Sequence, residues 1–221
     1  MTHTVHPYAH RLGILRDWKS RWFGARHYKD FLRTDVLVRE YLEKRLRDFY
    51  VSSIETERGG KHLRIIIKTS RPGLIIGRSG EGVATLRTDM VRFMKKRNLS
   101  GADEFKLDIV EVRSPESDAM IVARMVGEAI EKRMPFRRVL KQTVDKVMAN
   151  RDVKGVRIGL SGRLGGSDMA RREEIKRGRI PLQTLRADID FARARAKISQ
   201  GDIGIKVWIY RGDVFENTAK K

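Results

Sequence analysis

The spacing of apolar positions predicts a helix followed by a β-hairpin in the first third of the chain. From Thr34, a residue type that caps helices, apolar side chains recur every three or four positions up to Phe49, with charged side chains between them. Residues 51–57 and 63–69 have the composition and spacing of short strands. The segment 58–61 between them contains two adjacent glycines, which favour the tight turn of a hairpin.

The same reasoning predicts two helices around a glycine turn and then a third strand. Pro72 suits the first position of a short helical turn, and an apolar stripe from Val83 marks a longer helix that ends near Arg97. Residues 98–101 end that helix, and residues 105–112 alternate as a strand. The predicted order is therefore helix, two strands, two helices and a strand, which is the order of a type II KH domain.

Two further helices are predicted in the second half of the chain. Residues 114–116 are Ser, Pro and Glu, a composition typical of a helix start, with Ser114 as the cap and an apolar stripe that continues to about Lys132. Pro135 separates this helix from the next one, over residues 136–149.

Strands are expected to dominate the remainder. Residues 156–160 and 203–209 alternate between apolar and polar positions, as half-buried strands do. Propensity leaves residues 168–177 and 188–196 open, because each segment fits either a strand or a helix. Residues after Val214 are expected to form a short basic tail.

The net charge of the chain indicates which class of partner it binds. The 221-residue chain has 48 Lys and Arg against 28 Asp and Glu, a net charge of +20, so a polyanion is the natural partner, because binding releases condensed counterions. An anionic membrane is the rival, but no apolar run is long enough to span a bilayer and the first residues lack the apolar core of a signal peptide. With no cysteine, the chain has neither disulfides nor thiolate metal sites, and a reducing, cytoplasmic location is expected.

One short motif indicates how a nucleic acid is held. Residues 77–80 read Gly-x-x-Gly between an apolar run and a new amphipathic helix, so backbone N–H groups and a helix N-terminus point outward. Such a turn clamps about four nucleotides of single-stranded backbone in KH domains. The plain alternative is an ordinary turn between two helices. The RNA-binding residues predicted for this clamp are Ile76, Gly77, Arg78, Ser79 and Gly80.

A second cationic feature lies on the helix over residues 136–149. Arg137, Arg138 and Lys141 cover an arc of roughly 100° beside the apolar stripe, since successive helical residues are about 100° apart. Asp145 is the acid close to them. We name these three cations the ridge and expect them to face phosphate, the alternative being a solvated helix face.

Two other patterns suggest chemistry but have simpler explanations. Residues 162–166 are glycine-rich but lack the spacing of a phosphate-binding P-loop; the glycines fit a sharp turn, with Arg163 as a candidate RNA contact. His3, His6 and His10 have metal-ligand spacing, but Pro7 argues against a regular helix there, so these residues are expected to belong to an RNA-binding arm.

Catalysis has weak support in the chain. Asp188 and Asp190 would lie on one strand face and suggest a metal-dependent nuclease, but no Glu or His partner is near them in sequence. No catalytic residue, metal, cofactor or small-molecule substrate is therefore predicted.

Several blocks, in order along the chain, resemble one known family. Together with the clamp they mark similarity to the bacterial-type small-subunit ribosomal proteins of the universal S-three family. The blocks are residues 5–7, 11–14, 71–80, 134–144, 161–166, 178–190 and 204–210.

This resemblance implies an α+β chain of two domains. The first is a type II KH domain with a three-stranded sheet and helices, and the second is a C-terminal α/β domain in which two helices pack on an antiparallel sheet. The expected boundaries are an RNA-binding arm at 1–27, the KH domain at 28–113, the second domain at 114–213 and a flexible tail at 214–221.

The resemblance also implies a ribosomal location. It implies binding to small-subunit rRNA in the head, contact with neighbouring head proteins of the S-ten and S-fourteen families, and a place at the channel through which mRNA enters. The ridge matches the positions that face incoming mRNA and help keep it unpaired in that family. His6, Arg11 and Arg163 are expected to be further rRNA contacts.

Two other functions are kept as alternatives. The first is a free-standing KH-type regulator of particular transcripts, and the second is a nucleic-acid enzyme that uses Asp188 and Asp190.

Overall fold

A computed structural model describes residues 5–24, 26–59, 62–99 and 104–215. The chain divides into two compact units. One unit spans Trp18–Arg113, and the other combines the residues up to Asp17 with those from Ser114 onward. Within the described residues, no helix has both the length and the apolar content that crossing a membrane requires.

The unit at Trp18–Arg113 contains a four-stranded sheet with helices on one face. The strand order is β1-β2-β3-β4, in which β2 and β3 are antiparallel and the other two pairings are parallel. Ile54, Ile65 and Ile67 on the sheet and Leu42 and Met90 on the helices belong to one buried core. The elements, with α1 of the other unit placed first, are α1 (Pro7–His10), β1 (Ser20–Trp22), α2 (Tyr28–Arg45), β2 (Val51–Gly59), β3 (His62–Thr69), α3 (Pro72–Ile76), α4 (Glu81–Lys96) and β4 (Glu104–Glu111).

The first long helix starts earlier than the sequence predicts. It begins at Tyr28, so Thr34 lies inside it and its hydroxyl donates to the Asp30 carbonyl at 2.7 Å instead of capping the helix. The buried Asp35 carboxylate, in the same helix, accepts hydrogen bonds from Trp22 Nε1 at 3.0 Å and Thr56 Oγ1 at 3.1 Å. These contacts tie the first turns of α2 to the sheet.

The three predicted strands of this unit are confirmed, and a fourth is added. Strand β1 pairs in parallel with β2, so that Arg21 lies opposite Glu57. Three residues give too little periodicity to predict a strand. The tip of the predicted hairpin, residues 60 and 61, lies outside the described residues, as do residues 100–103 at the predicted helix end. Asn98 has φ 47°, which agrees with a helix that ends there.

The second unit is an antiparallel sheet with two helices on one face, as predicted. The strand order is β6-β5-β8-β7 with antiparallel neighbours throughout. Val156, Ile158 and Leu160 on the sheet pack with Val126 and Val144 on the helices. The elements are α5 (Ala119–Glu131), α6 (Phe136–Met148), β5 (Gly155–Gly162), β6 (Arg171–Gly178), β7 (Ala187–Ile198) and β8 (Gly201–Asp213).

Both segments that propensity left open are strands. Strand β6 contains most of residues 168–177. Strand β7 contains residues 188–196 and pairs with β8 along its whole length. Ala192 and Ala196 are buried in the core that includes α5. An alanine-rich segment is therefore extended here because ladder hydrogen bonds and packing outweigh its helix propensity.

The cap of α5 also differs from the prediction. Residues Pro115–Ser117 form a separate 3₁₀ turn, and the Asp118 carboxylate accepts hydrogen bonds from the backbone N–H groups of Met120 and Ile121. Asp118 thus caps the helix in place of Ser114.

The predicted N-terminal arm is divided between the two units. Pro7 and Arg11 are buried in the unit that contains the second sheet, whereas β1 adds to the first sheet. The Arg11 side chain donates hydrogen bonds to backbone carbonyls of residues 181–187, which holds the first turns of the chain to this unit.

Candidate nucleic-acid interface

The clamp is an exposed turn between α3 and α4. Gly77 ends α3 with φ 71°, and a 3₁₀ turn over Arg78–Gly80 leads directly into α4. Ser79 and Gly80 both have positive φ, at 51° and 82°. Residues 76–79 are exposed, so no other part of the described chain covers the bend.

A third glycine shapes the clamp and was missed by the sequence analysis. A Cβ atom on Gly82 would lie 2.5 Å from the Ile75 carbonyl oxygen, and a Cβ atom on Gly77 would lie 3.1 Å from the Gly82 nitrogen. The end of α3 and the start of α4 therefore approach each other more closely than any side chain allows. The available signal was a glycine directly after the first helical residue, where Gly has no intrinsic advantage.

Charge at the clamp is positive. Arg78 is exposed, and it has no acidic partner among the described residues. The N-terminus of α4, a 16-residue helix, follows within one turn and adds the positive end of a helix dipole. Backbone N–H groups, a guanidinium and a helix N-terminus together form a site suited to phosphate.

Two grooves border α4 and extend the surface beyond the clamp. One, of about 520 Å³, includes Arg45, Leu74 and Arg78 in its wall. The other, also about 520 Å³, lies between α4 and the strands β3 and β4 and includes Arg87 and Lys106. Each groove thus combines apolar side chains with exposed cations, and a positively charged groove of this kind can follow the backbone of a single strand.

The ridge on α6 is exposed, but one of its members is paired. Arg137 donates to both carboxylate oxygens of Glu173 on β6, each at 3.2 Å. This hydrogen bond lowers the pKa of Glu173 and raises the pKa of Arg137. Arg138 and Lys141 are exposed and have no acidic partner within the described chain.

The ridge therefore consists of two cations without an acidic partner among the described residues and one cation in an exposed ion pair. Sequence could not reveal the pair, because Glu173 is 36 positions away and lies on a strand that propensity left undecided. Asp145, the acid expected near the ridge, pairs instead with Arg177. An exposed ion pair is weak, so phosphate is able to compete for Arg137.

The three further RNA contacts expected from the resemblance have different surroundings. Arg11 has 0% exposure, so this prediction is corrected: a side chain without exposed surface holds its own unit together and does not touch RNA. Arg163 is partly exposed but binds its own turn, through the Ser167 carbonyl at 3.0 Å and Asp168 at 2.9 Å. His6 is exposed, and its Nδ1 accepts a hydrogen bond from the Tyr8 backbone N–H.

The two carboxylates considered for a nuclease are bound by arginines. Asp188 accepts from Arg16 at 2.6 Å, and Asp190 accepts from Arg211 at 3.1 Å and from the backbone N–H of Ala119 at 2.9 Å. Across the described ranges, no group of three or more His, Asp or Glu side chains is arranged to hold a metal ion. Both aspartates thus have structural partners within the second unit.

Comparison with known proteins agrees with the two-unit architecture. Residues 37–117 match the family described as KH domain, and residues 126–209 match the family described as Ribosomal protein S3, C-terminal domain. The first match covers the clamp, and the second covers α6 and most of the second sheet.

Whole-chain relatives are similar from end to end. The small ribosomal subunit protein uS3 of Endomicrobium trichonymphae is 42% identical over 100% of this chain and 92% of its own length. The uS3 proteins of Caldicellulosiruptor bescii and Maridesulfovibrio salexigens are 43% and 42% identical, over 99% and 100% of this chain and 96% and 100% of their own lengths. The chain belongs to the uS3 family of small ribosomal subunit proteins, in its bacterial form.

Proposed function

We propose that this protein is a structural constituent of the small ribosomal subunit that binds small-subunit rRNA in the head and performs no covalent chemistry. The observation that carries the proposal is the exposed glycine bend of residues 77–80, with free Arg78 at the start of α4. The net charge of +20 supplies the long-range attraction to RNA.

The second part of the proposal concerns mRNA. The ridge forms part of the channel through which mRNA enters, and it guides the message and helps keep it unpaired. Arg138 and Lys141 support this role, because both are exposed and free to contact the phosphates of a passing strand. Arg137 joins them when phosphate displaces Glu173.

Neighbouring head proteins of the S-ten and S-fourteen families complete the proposed set of partners. We place the protein on cytoplasmic ribosomes, without a small-molecule substrate or cofactor. The proposed rRNA contacts are the clamp, residues 76–80, together with His6 and Arg163.

We expect the double substitution Arg138→Gln and Lys141→Gln to slow translation through a stable mRNA hairpin several-fold, because two phosphate contacts at the channel are lost. Subunit incorporation should be unchanged, since both side chains are exposed and do not pack in the core. The measurement is the rate of translocation through a hairpin and through an unstructured message, with ribosomes that carry each variant. The matched control is Lys132→Gln with Arg151→Gln, two exposed cations of the same unit. Equal hairpin rates for both doubles would contradict the mRNA role.

We expect Glu173→Gln to strengthen RNA binding by the ridge, because it frees Arg137 and removes a negative charge. The pH dependence has a definite sign. The folded-state pKa of Glu173 is lowered, so the pair is present above that pKa and is lost as the pH falls through it. The affinity of the free protein for a single-stranded oligonucleotide should therefore differ between wild type and variant at pH 7, and this difference should shrink at acidic pH. A pH-independent difference would exclude the pair as the cause.

A free transcript regulator is the alternative that the KH unit alone would support. Sedimentation of a cell lysate in moderate salt separates the two functions. A ribosomal constituent remains with small-subunit particles, whereas a regulator is released from them. If the protein were found only in the light fractions of the gradient, the ribosomal proposal would be wrong.

A further inference from the structure

The second sheet has one face that the two helices leave uncovered. Alternate residues of β5, β7 and β8 point away from α5 and α6, as the burial of their neighbours shows. Near one end this face is closed by a small apolar cluster in which Trp208 and Tyr210 pack with Ile189, Ile180 and Leu182. The rest of it is exposed.

The exposed part is strongly cationic, and we name it the open sheet face. Its side chains are arranged in cross-strand rows that the register defines. They comprise seven cations and two acids, namely Arg157, Arg172, Lys176, Arg193, Arg195, Lys197 and Lys206 with Glu174 and Asp202.

Pairing within the face leaves most of this charge uncompensated. Glu174 accepts from Arg157 at 2.8 Å and from Arg172 at 2.9 Å, so one carboxylate serves two arginines. Arg193, Arg195 and Lys206 are exposed and have no carboxylate partner among the described residues. The face holds four cations and one acid on β7 and β8, and three cations and one acid on β5 and β6.

The first sheet shows that an uncovered face need not be cationic. There, three of four cations pair with a carboxylate on the same face: Arg21 with Glu55 and Glu57, Arg64 with Asp108 and Glu57, and Lys68 with Glu55. Lys106 is the fourth cation. Such a face is close to neutral. The imbalance on the second sheet is thus a specific property of that sheet.

Two like charges oppose each other on the open sheet face. Arg193 on β7 lies directly opposite Lys206 on β8. Like charges at directly opposed positions destabilise a sheet, so this pair costs stability unless an anion lies over it. Arg195 is opposite Gly204 in the adjacent row of the same face.

The centre of the open sheet face lacks long side chains. Gly159 on β5 and Gly204 on β8 carry no side chain, and Ser161 lies opposite Gly204. Cationic side chains stand on the flanking strands, Arg172 on β6 and Arg195 on β7. These strands are three spacings apart, about 14 Å, a width that accommodates one nucleic-acid strand.

We propose that the open sheet face is a second RNA-binding surface, which holds the ribose-phosphate backbone of small-subunit rRNA over Arg193, Arg195 and Lys206. The proposal rests on the proposed ribosomal function and adds a site distinct from the clamp and the ridge. Charge complementarity selects RNA as the occupant, because a protein segment would need an unusual density of acidic side chains to compensate these cations.

The test compares two triple variants of the full chain, each of which loses three positive charges. The open-face variant is Arg193→Gln, Arg195→Gln and Lys206→Gln. The control is Lys132→Gln, Lys146→Gln and Arg151→Gln, three exposed cations of the same unit outside the open sheet face. The probe is purified small-subunit rRNA without other proteins, and the readout is the slope of log K against log salt.

We expect the open-face variant to flatten this slope by about 2, since each lost contact with single-stranded phosphate contributes about 0.7. The control should change it much less. In addition, Lys206→Gln alone should raise the melting temperature of the RNA-free protein by about 1–2 °C, because it relieves the opposed like charges. A role in folding predicts the reverse, so a lower melting temperature would overturn the proposal.

The remaining outcomes are equally decisive. If wild type binds rRNA and the two triple variants have the same slope, the open sheet face does not bind RNA although the proposed function stands. If wild type does not bind rRNA, both proposals fail. If the open-face variant keeps its slope but is lost from reconstituted subunits while the control is retained, a neighbouring protein occupies the face, and the RNA assignment is wrong.

Discussion

Replacing Gly82 by alanine should disrupt the clamp and lower the affinity for a short single-stranded RNA at least tenfold. The new Cβ would lie 2.5 Å from the Ile75 carbonyl oxygen and 2.9 Å from that of Ile76, both backbone atoms that cannot rotate away. Forcing extra volume into a packed site costs about 1–3 kcal/mol. The end of α3 must move away from α4, and the glycine bend that presents backbone N–H groups moves with it.

A glycine-to-alanine substitution at a neighbouring position, Gly73, provides a matched control. Gly73 lies in α3 with no atom within 4 Å of a Cβ built there, and its φ is not in the left-handed region. Gly73→Ala should therefore leave stability unchanged or raise it by about 0.4–1 kcal/mol. Urea unfolding and oligonucleotide binding measure both variants.

A third variant separates misfolding from loss of the site. Arg78→Gln should fold normally, because the side chain is exposed, and should weaken oligonucleotide binding with a flatter salt dependence. Undiminished binding by both Gly82→Ala and Arg78→Gln would show that RNA does not use the clamp.

Replacing Arg11 by alanine should have the largest effect on stability, about 3 kcal/mol. The guanidinium donates to five backbone carbonyls, at distances from 2.6 Å to 3.4 Å, and the side chain is fully buried. Each buried acceptor left without a donor costs about 1–3 kcal/mol, although some of these carbonyls will find water. The acceptors are the carbonyls of Pro7, Pro181, Leu182, Thr184 and Ala187.

Urea unfolding and hydrogen exchange measure this effect. Amide exchange should accelerate in the described residues up to Asp17, because Arg11 links them to the 181–187 segment. Arg151→Ala, at an exposed position of the same unit, should stay within about 0.5 kcal/mol of wild type. If Arg11→Ala were equally mild, the buried network would not be what holds the N-terminal residues in place.

Most predictions that depended on neighbouring residues were confirmed, although the helix caps predicted at Thr34 and Ser114 were wrong. The glycine bend at 77–80 and the helix start at Phe136 follow from backbone freedom and from apolar spacing within a few turns. The alternation in residues 156–160 likewise marked β5. Each of these signals is contained in about ten residues, the range over which periodicity and propensity act.

Predictions failed or stayed open where distant residues decided the outcome. Arg11 is indistinguishable in sequence from a surface arginine until the 181–187 segment supplies its carbonyl acceptors. Glu173 compensates Arg137 only because β6 lies beside α6. The strand β7 extends through an alanine-rich segment because β8 offers a complete ladder of hydrogen bonds.

The amino-acid sequence alone predicts the surplus of positive charge, the two-part α+β organisation and the position of the clamp. The sequence does not predict which cations remain free to contact RNA. That depends on which carboxylates the fold brings within about 4 Å of each cation. Coulomb attraction and hydrogen bonding act over distance in space. Arg137 and Arg138 are adjacent in the chain, yet only the first meets an acid among the described residues, since the second sheet places Glu173 beside it.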